Sequence, residues 1–381
     1  MKRLIRLLNG VLRAGDLKGV WLLITLLLLF SISCFSQQPR KGKILEQKIL
    51  SKSIEGNPGG EDPSRSVTIY LPPGYEAGNQ RYPVIYFLHG FGADDKRVIS
   101  ETHINDLMDT AIVIGLIRPT IIVIPSSRTH FRGSFYTNSS LMGKWTDFIS
   151  KDLVEYVDKN FRTIPTRDSR GLVGHSMGGH GALKVSMLNP DVFGSVYAMS
   201  PAALNWAEEM NLNNPAFKKI SAAKEESEVN NQFMNLVMIS LGRAFSPNQQ
   251  KPPFFADFPA TYVGDSIRIN PEVVKLWEAN FPINMINDHL GALKSLNALK
   301  IDWGRNDEFD HIPVTCLQFS KRLEAYGVKH MAEEFNGTHG DRFSGMDGRI
   351  YTEMIPFFAR SLVHEKPEGV MTEKIGKKKH P

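Results

Sequence analysis

One short turn constrains this chain more than any other feature. Gly174-His175-Ser176-Met177-Gly178 lies between the apolar run Gly171-Leu172-Val173 and the small-residue stretch Gly178-Gly179-His180-Gly181-Ala182-Leu183. Glycines two residues either side of a serine relieve the crowding where a strand turns sharply into a helix. By itself the G-x-S-x-G pattern is weak, arising by chance roughly once in six or seven chains of this length. The context decides: an apolar strand before it and a helix after it, at 177–187, whose small residues permit close packing on a sheet.

The rest of the sequence keeps the same rhythm. Val67 to Leu71, Val84 to Leu88, Ile121 to Ile124, Gly171 to Val173 and Val196 to Met199 are short β-branched and aromatic runs that read as strands. Between and after them, apolar residues recur at helical spacing at Trp145, Phe148, Ile149, Leu153 and Val157, at 177–187 and at 317–326. Alternating strands and helices predict an α/β fold, a mostly parallel sheet covered by helices on both faces. Residues 203–297 break the rhythm with a polar and aromatic insertion, read as a mostly helical cap. The expected organisation is a hydrolase body over 37–202 and 298–364, the insertion between its halves, and a solvated basic tail, 365–381.

Residues 1–36 read as an address. A basic segment precedes the uncharged run Val20 to Phe30, and small residues at Cys34 and Ser36 suit cleavage before Gln37. The apolar run is short for a membrane span. Two alternatives stay open, a lipid on Cys34 and an uncleaved anchor, and only anchoring would make a membrane a partner. The net charge is +5, and most of it sits in this leader. A body so near neutrality lacks the basic stripe that non-specific nucleic-acid binding needs. Cys34 and Cys316 are the only cysteines, too few for a disulfide framework or a cysteine zinc site.

The chemistry follows from the serine. His89-Gly90-Phe91-Gly92 comes directly after the strand Val84 to Leu88, where an oxyanion loop belongs, and the backbone N–H groups of Phe91 and Met177 are the candidate donors. His89 is expected to be a structural residue beneath that loop. The base and orienting acid should follow in the order serine, acid, histidine. Asp307 lies just past the Gly304 turn at the end of the run Leu299 to Trp303, and His339 lies in the loop after Glu334 and Phe335. Asp302 falls within the strand, whereas Glu308 and Asp310 fall at the start of the next helix. In the loop after Pro125, Arg128, Tyr136 and Asn138 are candidate substrate contacts. Arg128 either meets a carboxylate or sugar or is a solvated surface cation. The aromatics of the insertion either stack on substrate or form the insertion's own core. No metal or nucleotide motif is present, so no cofactor and no metal are expected.

Ser66 to Tyr75, Tyr82 to Phe91, the GHSMGG elbow, Asn189 to Ser200, the GRND turn and the GTHGD loop together resemble the putative-esterase family of α/β-hydrolases. S-formylglutathione hydrolase, feruloyl and acetyl-xylan esterases and the mycolyltransferases belong to it. The resemblance implies an α/β-hydrolase fold with Ser176 as nucleophile, Asp307 as acid and His339 as base. It implies an exported serine esterase acting on a small-molecule or carbohydrate ester. An acyltransferase with the same triad is the first alternative, and a non-catalytic binding protein on this scaffold is the second.

Overall fold

The β-branched and aromatic runs assemble into one eight-stranded sheet in the computed structural model, which describes residues 41–229 and 232–365. The leader with Cys34 and the tail beyond Glu365 lie outside the described residues. The strands are β1 (Lys43–Leu50), β2 (Ser64–Leu71), β3 (Val84–Leu88), β4 (Ile121–Pro125), β5 (Arg170–His175), β6 (Ser195–Met199), β7 (Ala298–Gly304) and β8 (Met331–Phe335). Their spatial order is β1-β2-β4-β3-β5-β6-β7-β8. All pairs from β4 to β8 are parallel. The two outer pairs, β1 with β2 and β2 with β4, are antiparallel. This is the α/β-hydrolase fold.

Period-two alternation explains why the central strands are apolar throughout. Val84, Tyr86 and Leu88 of β3 enter one core, while Ile85 and Phe87 enter the other on the opposite face. The first core is shared with the helix over 145–160, with α4 (Met177–Leu188) and with Phe319 of α8 (His311–Ala325). The second is closed by α1 (Asp95–Thr102), α2 (Ile104–Val113) and α9 (Ile355–Ser361). Counting the 145–160 helix as α3, the longer helices of the insertion are α5 (Pro215–Ala222), α6 (Phe233–Phe245) and α7 (Pro271–Asn280).

The insertion mixes two kinds of element. Besides helices it carries a β-hairpin, Ala260–Val263 with Ser266–Ile269. Its buried apolar residues, among them Phe217, Met238 and Trp277, join the same core as the sheet. Most of its aromatics are packing groups: Trp206 stacks on Trp277 at 5.6 Å, and Phe281 meets Trp206 edge-on at 4.9 Å. Phe233 and Phe255 retain exposure.

Candidate active site

Ser176 occupies the junction of β5 and α4 with φ 58° and ψ −118°. A non-glycine residue in this region costs about 1–3 kcal/mol and persists only where its surroundings enforce it. Here the enforcement is backbone packing. A Cβ on Gly174 would lie 2.2 Å from the Gly178 carbonyl oxygen, and one on Gly178 would lie 2.0 Å from that of Leu88. Only glycine lets α4 start this close to the sheet, and the hydroxyl is thereby lifted to the mouth of two clefts.

The loop after β3 lies beside it. A Cβ on Gly90 would sit 3.5 Å from the Ser176 Cβ. His89 is fully buried: its Nε2 accepts the Ser127 N–H at 2.8 Å and its Nδ1 faces the Gly90 carbonyl at 2.8 Å. One ring nitrogen accepts and the other donates, so the imidazole is neutral, and burial lowers its pKa to about 4. The Tyr136 hydroxyl donates to the His89 carbonyl at 2.9 Å. These bonds hold the Phe91 backbone next to the N-terminus of α4, where main-chain N–H groups of Phe91 and Met177 are suited to a developing oxyanion.

Asp307 and His339 arrive on loops laced together by main-chain bonds. The Arg305 N–H donates to Phe335 O at 2.8 Å and the Asn306 N–H to Gly337 O at 3.0 Å. His339 Nδ1 lies 2.7 Å from Asp307 Oδ2, while Asp307 Oδ1 accepts the Phe309 N–H at 3.0 Å. The Asp307 side chain has no solvent exposure. Two residues that the sequence did not signal fix the His339 backbone: Glu308 Oε2 accepts its N–H at 2.9 Å, and His175 Nε2 donates to its carbonyl at 3.0 Å. Asp302 is buried within β7, paired with Arg349 and Tyr197. Among rival histidines, His311 is held by Glu209 at 2.5 Å through Nδ1 and accepts the Ala203 N–H through Nε2 at 3.1 Å. His330 is engaged by Ser320 and Val328.

Two clefts open at Ser176. One spans about 360 Å³ counting space open to solvent and is apolar, walled by Phe135, Met177, Met210, Met234 and Val237. The other spans about 700 Å³ on the same measure, contains His339 and carries Arg97, Glu101 and Thr102. Phe91, Phe233 and Phe309 border both, with Phe233 stacked on Phe309 at 5.3 Å and Phe309 edge-on to His339 at 5.0 Å. The insertion thus supplies Met210, Phe233, Met234 and Val237 to the walls.

The three expected substrate contacts do not line either cleft. Tyr136 is fully buried with its hydroxyl spent on His89, so it supports the oxyanion loop instead of touching substrate. Asn138 exchanges hydrogen bonds with Asp147 on the surface. Arg128 is exposed and donates to the Gly92 carbonyl at 2.6 Å, a brace on the same loop. Among the described residues, no three His, Cys, Asp or Glu side chains converge as a metal site.

Three buried histidines around the elbow make acid stability a test of this geometry. Burial lowers His89 to about 4 and both His175 and His180 to about 3. Below ~6.5 the unfolded chain protonates these groups while the native state does not. The unfolded state therefore binds more protons from about 6.5 down to about 4 for His89 and about 3 for His175 and His180, and stability falls as pH falls through that window. Thermal melts from pH 7.5 down to ~4.5 should show a steadily falling Tm. A Tm unchanged from pH 7 to ~5 would contradict the neutral, buried assignment.

Comparison with known proteins gives the family and the fold. The family model described as "Putative esterase" matches residues 62–258, which includes the elbow and the oxyanion loop. An esterase of Mycobacterium tuberculosis is 32% identical over 181 residues, covering 46% of this chain and 36% of the relative. An endo-1,4-beta-xylanase/feruloyl esterase of Xylanibacter ruminicola is 30% identical over 139 residues, 34% of this chain and 18% of the relative. The chain thus spans a minor part of these relatives' length. A ferulic acid esterase structure superposes with TM-score 0.60 at 21% identity, covering 84% of this chain and 99% of the other, a likeness of fold.

Proposed function

Since the chain belongs to the putative-esterase family, we propose that it is a serine ester hydrolase working through Ser176, His339 and Asp307. The observation that carries this reading is Ser176 on its strained elbow, opening onto a cleft it shares with His339, whose Nδ1 lies 2.7 Å from Asp307. His339 takes the Ser176 proton through Nε2 as Oγ attacks the ester carbonyl, and Asp307 holds the tautomer that leaves Nε2 free to do so. The Phe91 and Met177 N–H groups receive the oxyanion. His339 then protonates the departing alcohol, and the same steps with water release the acid.

The two clefts divide the substrate. The leaving oxygen must come within reach of the imidazole that protonates it, so the alcohol occupies the polar cleft with His339, Arg97 and Glu101. The acyl group occupies the apolar cleft, where Met210, Met234 and Val237 favour a compact apolar acid of the phenylpropenoyl type. The feruloyl esterase among the relatives supports an aromatic acyl group on a carbohydrate alcohol. The basic-then-apolar order of residues 2–36 supports export with cleavage before Gln37.

An ester panel of acetyl, feruloyl, long-chain acyl and glutathione thioester substrates, with product analysis in the presence and absence of a sugar acceptor, tests this. The expected result is free acid as product and a kcat/KM for a feruloyl sugar ester at least about 10-fold above the acetyl ester, a difference of ~1.4 kcal/mol. Val237→Trp should remove that preference. A preference for the thioester or long-chain acyl group, or transfer to the acceptor as the main outcome, would overturn it.

A further inference from the structure

A third cavity lies apart from Ser176 and takes no part in the proposed chemistry. It spans about 800 Å³ counting space open to solvent, more than either cleft at the serine, and is walled by Gly59, His130, Glu226, Arg243, Gln249 and Phe255. We propose that this cavity binds a neutral sugar.

The polar groups of the cavity are charge-matched. Arg243 is buried and pairs with buried Glu61 at 3.7 Å, and His130 Nε2 lies 2.6 Å from Glu226 Oε2. With Arg243 answered by Glu61 and Glu226 on its wall, the cavity has no surplus positive field for a phosphate or a carboxylate ligand. Its hydrogen-bonding capacity is nevertheless incomplete. Arg243 Nη1 donates to the Phe254 carbonyl at 3.2 Å, but Arg243 Nε is buried without a hydrogen-bond partner. Unmatched buried polar atoms are costly and rare. Arg243 Nε is a donor, and the oxygen of a hydroxyl is a neutral acceptor for it.

The cavity also offers an aromatic surface. Phe255 is only partly buried and is held at φ 53°, a left-handed conformation unfavourable for a bulky side chain. Its backbone is fixed there on both sides, the N–H donating to Lys251 O at 2.7 Å and the carbonyl accepting the Asn248 N–H at 2.8 Å. An enforced, accessible ring beside the planar polar ends of Arg243, Gln249 and Glu226 provides a flat apolar face and in-plane hydrogen bonds. A pyranose has the complementary surfaces, C–H groups on its faces and hydroxyls around its edge.

One loop separates the cavity from the oxyanion loop. It begins with His130 on the cavity wall, accepts the Gly92 N–H at the Arg132 carbonyl at 3.1 Å, and brings Gly133 against Phe91 and Met177. Sugar bound here lies across that loop from the proposed catalytic serine.

Calorimetric titration of Ser176→Ala protein tests the proposal without relying on the ester chemistry. The probes are xylotetraose and cellotetraose, with tetragalacturonate and inorganic phosphate as anionic counterparts. The expected result is saturable binding of a neutral tetrasaccharide with Kd about 0.1–1 mM, weakened roughly 5- to 10-fold by Phe255→Ala or Gln249→Ala. Gln249 and His130 are exposed, so Gln249→Ala and His130→Ala keep the test open should Phe255→Ala fail to fold. In protein that retains Ser176, Gln249→Ala should leave p-nitrophenyl acetate hydrolysis unchanged. Absence of saturation by either neutral probe, binding of the anionic probes alone, or binding indifferent to both Gln249→Ala and His130→Ala would overturn it.

Discussion

Ser176→Ala should leave a folded protein whose ester hydrolysis is lower by a factor on the order of 10⁶, the scale of loss when a serine hydrolase loses its nucleophile. The fold should survive because the elbow is set by glycine packing: Gly174 and Gly178 admit no Cβ, whereas the Ser176 hydroxyl points to a cleft. An alanine at φ 58° bears the same backbone strain as serine. Steady-state hydrolysis of p-nitrophenyl acetate, alongside thermal melts, checks both halves. A variant of native Tm that retained more than about a hundredth of wild-type kcat would show that another group attacks the ester.

Asp307→Asn should lower kcat by ~10⁴ while leaving Tm nearly unchanged, as expected when an orienting carboxylate becomes an amide. The carboxylate reaches His339 Nδ1 at 2.7 Å from a side chain closed to solvent. An amide presenting its NH₂ to Nδ1 would stabilise the other tautomer, with the proton on Nε2, which cannot accept from serine. The neighbouring acids should behave differently. Asp302 is committed to Arg349 and Tyr197, so Asp302→Asn should reduce Tm more than turnover. Asp310 precedes α8, and Asp310→Asn should be near neutral in both. Loss of activity at Asp310 with retention at Asp307 would move the acid to Asp310.

Much of this site could be read in the sequence because its signals are local. A serine needing φ > 0 must be flanked by small residues, and strands buried on both faces are largely apolar, so the elbow and strands β3, β4 and β6 stand out. β1 does not: Lys43, Glu46, Gln47 and Lys48 give an edge strand with one solvated side and no clear apolar run. Side-chain destinations were harder to read still. Tyr136 and Asn138 lie in a loop after a parallel strand, where substrate contacts are common, yet one is buried under His89 and the other bonds to Asp147. Glu308 and His175 hold the His339 backbone across separations of 31 and 164 residues. Nothing in the spacing of a carboxylate and a histidine that far from their partner marks such contacts.

The central claim is that Ser176 carries the acyl group between two half-reactions. Quenching the enzyme in acid during turnover of a feruloyl ester, followed by digestion and mass spectrometry of the peptides, tests it most directly. One acylated peptide is expected, the one containing Ser176, whose label forms faster than it decays and is missing from Ser176→Ala. Turnover with no covalent intermediate, or an acyl group on any other residue, would contradict it.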